Sequence, residues 1–292
     1  MTGAVPRLEV FQSLWAMELR RPDGRERSLE ESFRMVAEAG YDGMAIDLGA
    51  TDLETARQTR PLFERYGLGC LINAFPQSVE DLRPVLEMAV DFEARFVNVI
   101  GQVMPLTVAE AAPVVRAWLE LSAQAGMPIL FETHRNCMTN DLYFTLLLMD
   151  AVPEMRLCAD LSHFLVDREF PYPPTAPQEE MIRRVLARAD SFQGRVASRE
   201  QIQVQLDFPQ HRKWVELFER WWEDGMRLWL DRASADAVLN FLCELGPPEY
   251  AITGPDGYEL SDRWAEALAI RASVTATWDR LTAGRPEAGG SS

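Results

Sequence analysis

Short apolar runs alternate with stretches in which apolar positions recur every three to four residues, and the alternation repeats eight times. The runs are 8–17 (LEVFQSLWAM), 43–49 (GMAIDLG), 68–75 (LGCLINAF), 96–102 (FVNVIGQ), 127–134 (MPILFETH), 155–164 (MRLCADLSHF), 191–198 (SFQGRVAS) and 239–247 (LNFLCELGP). Each precedes an amphipathic stretch, at 28–40, 52–67, 79–94, 107–126, 141–152, 177–189, 211–225 and 259–281. Strands apolar on both faces, alternating with helices, are the pattern of a parallel sheet covered by helices. Eight units of roughly 25–35 residues favour a closed (β/α)8 barrel over an open doubly wound sheet. No GxGxxG or GxxxxGK[ST] loop follows any run, which further lowers an open nucleotide-binding sheet.

Local signals agree with this division. Ser28 reads as an N-cap with Glu31 three residues on, and Gly40 as the stop. The barrel is expected to fill 1–281 as one domain, and the small, polar segment 282–292 (TAGRPEAGGSS) reads as a disordered tail. Two connections are long for a barrel: 165–177, with four prolines and two aromatics, and the Gln-rich 199–210. Both follow strands at the mouth, so both are candidate substrate-covering loops.

Composition narrows the class. A chain of 292 residues, 47% hydrophobic and 25% charged, fits one large domain or two small ones. A net charge of −16 argues against a partner gripped by its phosphate backbone, though one local Arg would suffice for a small phosphorylated substrate. No apolar run approaches the ~20 residues that span a bilayer. The segment MTGAVPRLEV is not a signal peptide, so a soluble cytoplasmic protein is expected. Cys70, Cys137, Cys158 and Cys243 show no CxxC spacing and read as reduced thiols; only Cys137, just past FETHRN, is placed to reach the mouth.

Three carboxylates stand at the ends of late strands: Glu132 in PILFETH, Asp160 in RLCADLSH and Glu244 in FLCELGP. In a parallel barrel those ends converge on the mouth where active sites are built. Three facing acids repel unless a cation or shared protons lie between them. A metal site is therefore the functional reading; an Arg-paired structural Glu132, with Arg135 nearby, is the alternative. His134 lies two residues beyond Glu132 and points to the same side of an extended strand, as a substrate contact or metal-supporting group. His163 follows Asp160 by three. Gly246-Pro247-Pro248 turns the chain after Glu244.

Strand seven offers no acid or imidazole, only Gln193, whose amide oxygen suits a hard cation or an ordinary hydrogen bond. Arg195 and Arg199 are candidates for an anionic or hydroxylated substrate. Trp15 and Phe75, near the ends of strands one and three, can wall a polyol pocket. The Trp221-Trp222 pair reads as packing.

GYDGMAIDL, ARFVNVIGQ, ILFETHRN, CADLSHF, RVASREQIQVQLDFPQHRKWVELFERWW and ELGPPEY together resemble the xylose isomerase-like TIM-barrel superfamily, in its sugar phosphate isomerase/epimerase branch. The resemblance covers nearly the whole chain from the first strand to the last helix. It implies one divalent metal held by a Glu, an Asp, a His and a Glu from strands five to eight, here Glu132, Asp160, Gln193 and Glu244. It implies Glu132 and Glu244 as the acid/base pair, and His163 and Arg199 as substrate holders. Gln193 departs from the pattern; it favours Mn2+ or Mg2+ over Co2+ or Zn2+, or marks a drifted site. With three histidines the chain is a poor match to the multi-zinc endonuclease relatives.

The resemblance thus implies a metal-dependent isomerase or epimerase working on a ketose or keto-sugar through an enediolate, as a homodimer or homotetramer. The rivals are a metal-dependent lyase or hydratase on a keto-glycoside or cyclic polyol, and a non-catalytic barrel that binds a small molecule.

Overall fold

The computed structural model of the protein describes residues 5–283. Eight parallel strands close into a barrel in sequence order: β1 (Arg7–Ser13), β2 (Gly43–Asp47), β3 (Gly69–Ala74), β4 (Val97–Val99), β5 (Ile129–Glu132), β6 (Leu157–Ala159), β7 (Ala189–Gly194) and β8 (Val238–Cys243). The ring closes where β1 pairs with β8 from Arg7↔Val238 to Gln12↔Cys243. This is the expected TIM barrel, in one domain. Ten α-helices surround it among the described residues: α1 (Leu29–Glu38), α2 (Leu53–Arg57), α3 (Arg60–Tyr66), α4 (Leu82–Asp91), α5 (Val108–Ala125), α6 (Leu142–Ala151), α7 (Leu161–Asp167), α8 (Ala176–Leu186), α9 (Arg212–Leu230) and α10 (Arg263–Thr282). None is long and apolar enough to cross a membrane.

Most strands are shorter than the sequence expectation, strand one ending at Ser13 and β7 at Gly194, and α9 runs on to Leu230; two further differences have a clear local cause. The helix expected over 52–67 is split into α2 and α3, because Pro61 in the first turn of α3 has no N–H to continue the ladder. The strand expected over 155–164 stops at Ala159. Asp160 leaves the helical region (φ −95°, ψ 97°) and its carboxylate accepts from the Ser162 N–H, so it caps α7. The apolar run LSHFLV carries no period that separates a strand from a buried helix. Of the expected tail, Thr282 closes α10, and 284–292 lie outside the described residues.

Strand parity explains the interior. Phe11, Ala45, Leu71, Phe96, Leu130, Cys158 and Leu242 form one buried cluster inside the barrel. Successive side chains on a strand point to opposite faces, so the residues two further on also point inward. Those are Ser13, Asp47, Asn73, Asn98, Glu132, Asp160 and Glu244, every one polar and buried. The barrel thus has an apolar plug with a polar layer on its C-terminal side. The second, larger core lies between strands and helices and includes Trp118, Trp221 and Trp222.

Both long connections are tied down. In 165–177, Phe170 packs on Trp221 (6.4 Å) and Tyr172 on Trp214 (5.4 Å), which anchors the segment to α9. In 199–210, Gln203 clamps Gly246 through both backbone groups, at 3.0 and 2.7 Å.

Candidate functional site

The polar layer opens into a cavity of about 300 Å³ at the C-terminal ends of the strands, lined in part by Asp47, Asn73, Glu132, His134, Arg195 and Glu244. Larger clefts lie elsewhere on the molecule, but among the described residues they do not include the strand-end carboxylates Glu132, Asp160 and Glu244. Trp15 and Phe75 wall the cavity as expected, joined by Tyr250, whose ring meets Trp15 edge-on at 5.2 Å. Both aromatic rings crowd Gly246, where an added Cβ would lie 2.6 Å from Trp15 and 2.7 Å from Tyr250.

The two glutamates are linked by amides. Asn98 and Gln193 both donate to Glu132 Oε2, the latter at 2.7 Å. Asn98 also donates to Asn73 Oδ1 at 3.1 Å, and Asn73 in turn to Glu244 Oε1 at 3.1 Å. Asp47 accepts from the Gly49 and Ala50 N–H groups at 2.7 and 3.2 Å.

Arg195 enters from β7. Gln193 points inward, so Arg195, two residues on, does too. Gly194 between them faces outward, with Phe241 only 2.6 Å from where a Cβ would stand, which lets β7 lie close against β8. The guanidinium is 1% exposed. Its Nη2 donates to Glu244 Oε2 at 2.6 Å, and its Nε lies 3.6 Å from Asp160 Oδ2. Its Cζ sits 4.9 Å from the centre of the Tyr250 ring, whose hydroxyl accepts from Arg135 Nη2 at 2.6 Å.

The histidines stand together, their ring centres 4.1 Å apart. His134 Nδ1 faces the Arg135 carbonyl, which makes Nδ1 the protonated nitrogen and leaves Nε2 a lone pair. His163 is fully buried; Nε2 lies 3.4 Å from Asp160 Oδ2, and neither ring nitrogen makes a hydrogen bond.

Burial dominates the protonation of these groups. It pushes Glu132 well above the usual carboxylate range, and Glu244 and Asp160 push it further. Burial raises Glu244 to about 7 against the opposing pull of Arg195, with Asp47 and Asp160 adding to the rise. Burial also raises Asp160, partly offset by Arg195. Burial drives His134 down to about 4 and His163 well below its ordinary value, so both imidazoles are neutral near pH 7. Arg195 would be lowered by burial, but Asp160 and Glu244 outweigh it and hold its charge.

The structure brings together all but one of the residues expected from the sequence. Glu132, Glu244, His134, Trp15 and Phe75 line the cavity, and Asp160, Gln193 and His163 are buried directly behind them. Arg199 does not: its guanidinium is exposed and pairs with Glu169 and Glu200 at 3.1 and 3.4 Å, bridging the two long connections. Asp47, Asn73, Asn98 and Tyr250 were not anticipated. The first three follow the same strand-end rule as the glutamates; Tyr250, beyond the Pro-Pro turn, carries no such signal. Cys137 is buried, its thiol pushed up to about 11, so it is not an exposed nucleophile at the mouth.

Among the described residues, two overlapping groups bring ligand atoms within 4.8 Å of one another: Glu132, Asp160 and Glu244, and Glu132, His134 and His163. They make a candidate cation site. The expected set of Glu132, Asp160, Gln193 and Glu244 does not fit a divalent ion as a whole. Gln193 turns its NH2 to Glu132, and Arg195 already holds Glu244.

No family model matches the chain, and no curated protein matches it. Solved structures do match its fold. A D-allulose 3-epimerase from Methylomonas sp., in complex with D-allulose, aligns with a TM-score of 0.60 at 14% identity, over 95% of this chain and 100% of that one. A xylose isomerase-like TIM barrel protein from Mycobacterium smegmatis, in complex with magnesium, aligns at 0.56 and 16%, over 95% and 98%. The probable 3-DHS dehydratase AsbF from Bacillus anthracis aligns at 0.53 and 15%, over 83% and 94%.

Proposed function

We propose that this barrel is an isomerase or epimerase of a small hydroxy-carbonyl compound, a ketose or keto-sugar derivative. The observation that carries the reading is the pair Glu132 and Glu244. The two are buried on β5 and at the end of β8, joined through Asn98 and Asn73, and both face one cavity. Two titratable groups whose environments push them apart make an acid and a base. Glu132 is the more strongly raised and holds its proton; Glu244, near 7 and paired with Arg195, is the base.

In this reading Glu244 takes the proton from the carbon beside the carbonyl. The electron pair moves to the carbonyl oxygen and forms an enediolate, whose charge faces the Arg195 guanidinium. Glu132 returns a proton to carbon, at the same centre for an epimer or at its neighbour for an isomer. In the isomer the hydroxyl proton passes between the two oxygens. Trp15, Phe75 and Tyr250 offer apolar faces to the C–H groups of a sugar-like ligand, which the neighbour bound to D-allulose supports as the ligand class. His134, neutral and on the cavity wall, hydrogen-bonds a hydroxyl, and the buried His163 ring packs behind it.

An elimination uses the same base, with Glu132, raised by burial, as acid to the departing hydroxyl. Product mass over a ketose and keto-sugar panel separates them. The first reading expects unchanged mass; loss of one water establishes the second.

A further inference from the structure

We propose that Arg195 is the cation of this cluster, standing where a divalent ion would, and that the barrel works without a bound metal. This deepens the reading above, yet its primary test uses no turnover.

The argument begins with atoms in competition. An ion shared by Glu132, Asp160 and Glu244 would draw on the carboxylates that Arg195 faces: Glu244 Oε2 at 2.6 Å and Asp160 Oδ2 at 3.6 Å. A metal held at the ~2.0–2.6 Å of magnesium or calcium would set two cations side by side over one pair of oxygens. Arg195 cannot resolve that conflict by losing its proton. It is also packed rather than free to swing out. The Tyr250 ring covers its face at 4.9 Å, and Tyr250 is held by Arg135 and by Trp15.

The fourth expected ligand points the same way. Glu132 Oε2 accepts from both Asn98 and Gln193, and the Gln193 NH2 is turned to it. Its own oxygen, Oε1, has no partner and is a weak neutral ligand compared with an imidazole. Arg195 Nη1 and Nε are buried without hydrogen-bond partners, and Arg195 lines the cavity. With Nη2 given to Glu244 and Nε facing Asp160, Nη1 is the donor left for one substrate oxygen, such as the carbonyl of the hydroxy-carbonyl compound proposed above.

The test is metal uptake by the full chain, purified without chelator and then soaked with MnCl2 and MgCl2, read by elemental analysis and by Tm. We expect no stoichiometric Mn2+ or Mg2+ and no Tm rise in the wild type. The double variant Gln193→His/Arg195→Ala is expected to bind one Mn2+ per chain. Its Tm then rises with Mn2+ concentration, since a ligand bound only by the folded state stabilises it, and Glu132→Gln abolishes the rise. One tightly held ion per wild-type chain overturns the proposal. So does a folded double variant that takes up none, because Arg195 and Gln193 would then not be what keeps the ion out. If the double variant does not fold, the wild-type measurement alone decides. A metal-free wild type that lacks isomerase activity leaves the cation assignment standing and counts against the reaction.

Discussion

Arg195 and Glu244 form an ion pair at 2.6 Å with side-chain exposures of 1% and 4%, one from the end of β7 and the other from the end of β8. Breaking such a pair by removing one partner leaves an uncompensated buried charge, which costs about 3–5 kcal/mol. The pair therefore ties stability and chemistry together, since the same contact balances Glu244 near neutrality and aims a cation at the cavity.

Replacing Glu244 by Gln removes the proposed base and keeps the side-chain volume. We expect kcat to fall about 10²–10⁴-fold, the usual contribution of a positioned acid or base. Steady-state kinetics on the substrate found by the panel checks this, with circular dichroism to show the fold intact.

The rate should rise with pH around 7, as Glu244 loses its proton. Stability should move the opposite way. The folded chain holds the Glu244 proton up to about 7, whereas an unperturbed glutamate loses it near 4.5. A group raised in the folded state contributes stability that is full below the unfolded value and lost as pH rises through the folded one. Tm should therefore decline between about pH 4.5 and 7. Glu266, also pushed up to about 7 by burial, titrates in the same window. The part of the decline that disappears in Glu244→Gln is the part that belongs to Glu244.

Asn98 donates to Glu132 and to Asn73, and Asn73 to Glu244. Asn98→Ala should leave Glu132 with Gln193 as its remaining amide donor and shift its protonation upward, towards the neutral acid. The expected result is a lower kcat with KM little changed, measured against Asn73→Ala, which acts on the other glutamate.

Phe11 is fully buried in the plug beneath the polar layer. Phe11→Ala should cost about 3–5 kcal/mol through lost burial and a cavity, read by denaturant unfolding.

The barrel and its acidic mouth were legible because a charge in an apolar strand is expensive and therefore rare. Glu132, Asp160 and Glu244 stood out on that ground. Asp47, Asn73 and Asn98 obey the same two-residue parity. Asn73 and Asn98 carry no charge and weigh little until the barrel shows that they share a layer, and Asp47 stands on an early strand, apart in sequence from the three late acids. The end of β6 was misplaced because His163 sits in an apolar run, where strand and buried helix look alike. Arg199 was expected inside and lies outside. Family spacing after β7 suggested it, but Arg195 takes the inward position two residues past Gln193, and the chain beyond turns towards Glu169. Tyr250 had no local signal at all; its place depends on the turn after Gly246 and on Gln203, which is remote in sequence.

The most direct test of the central claim is deuterium incorporation. The protein is incubated in D2O with a panel of ketoses and keto-sugars, and the carbon beside the carbonyl is followed by NMR. The account predicts wash-in at that carbon with the wild type, a large loss of exchange in Glu244→Gln, and a product that carries the deuterium and has lost no water. No exchange with any member of the panel, or exchange that survives in Glu244→Gln, would contradict it.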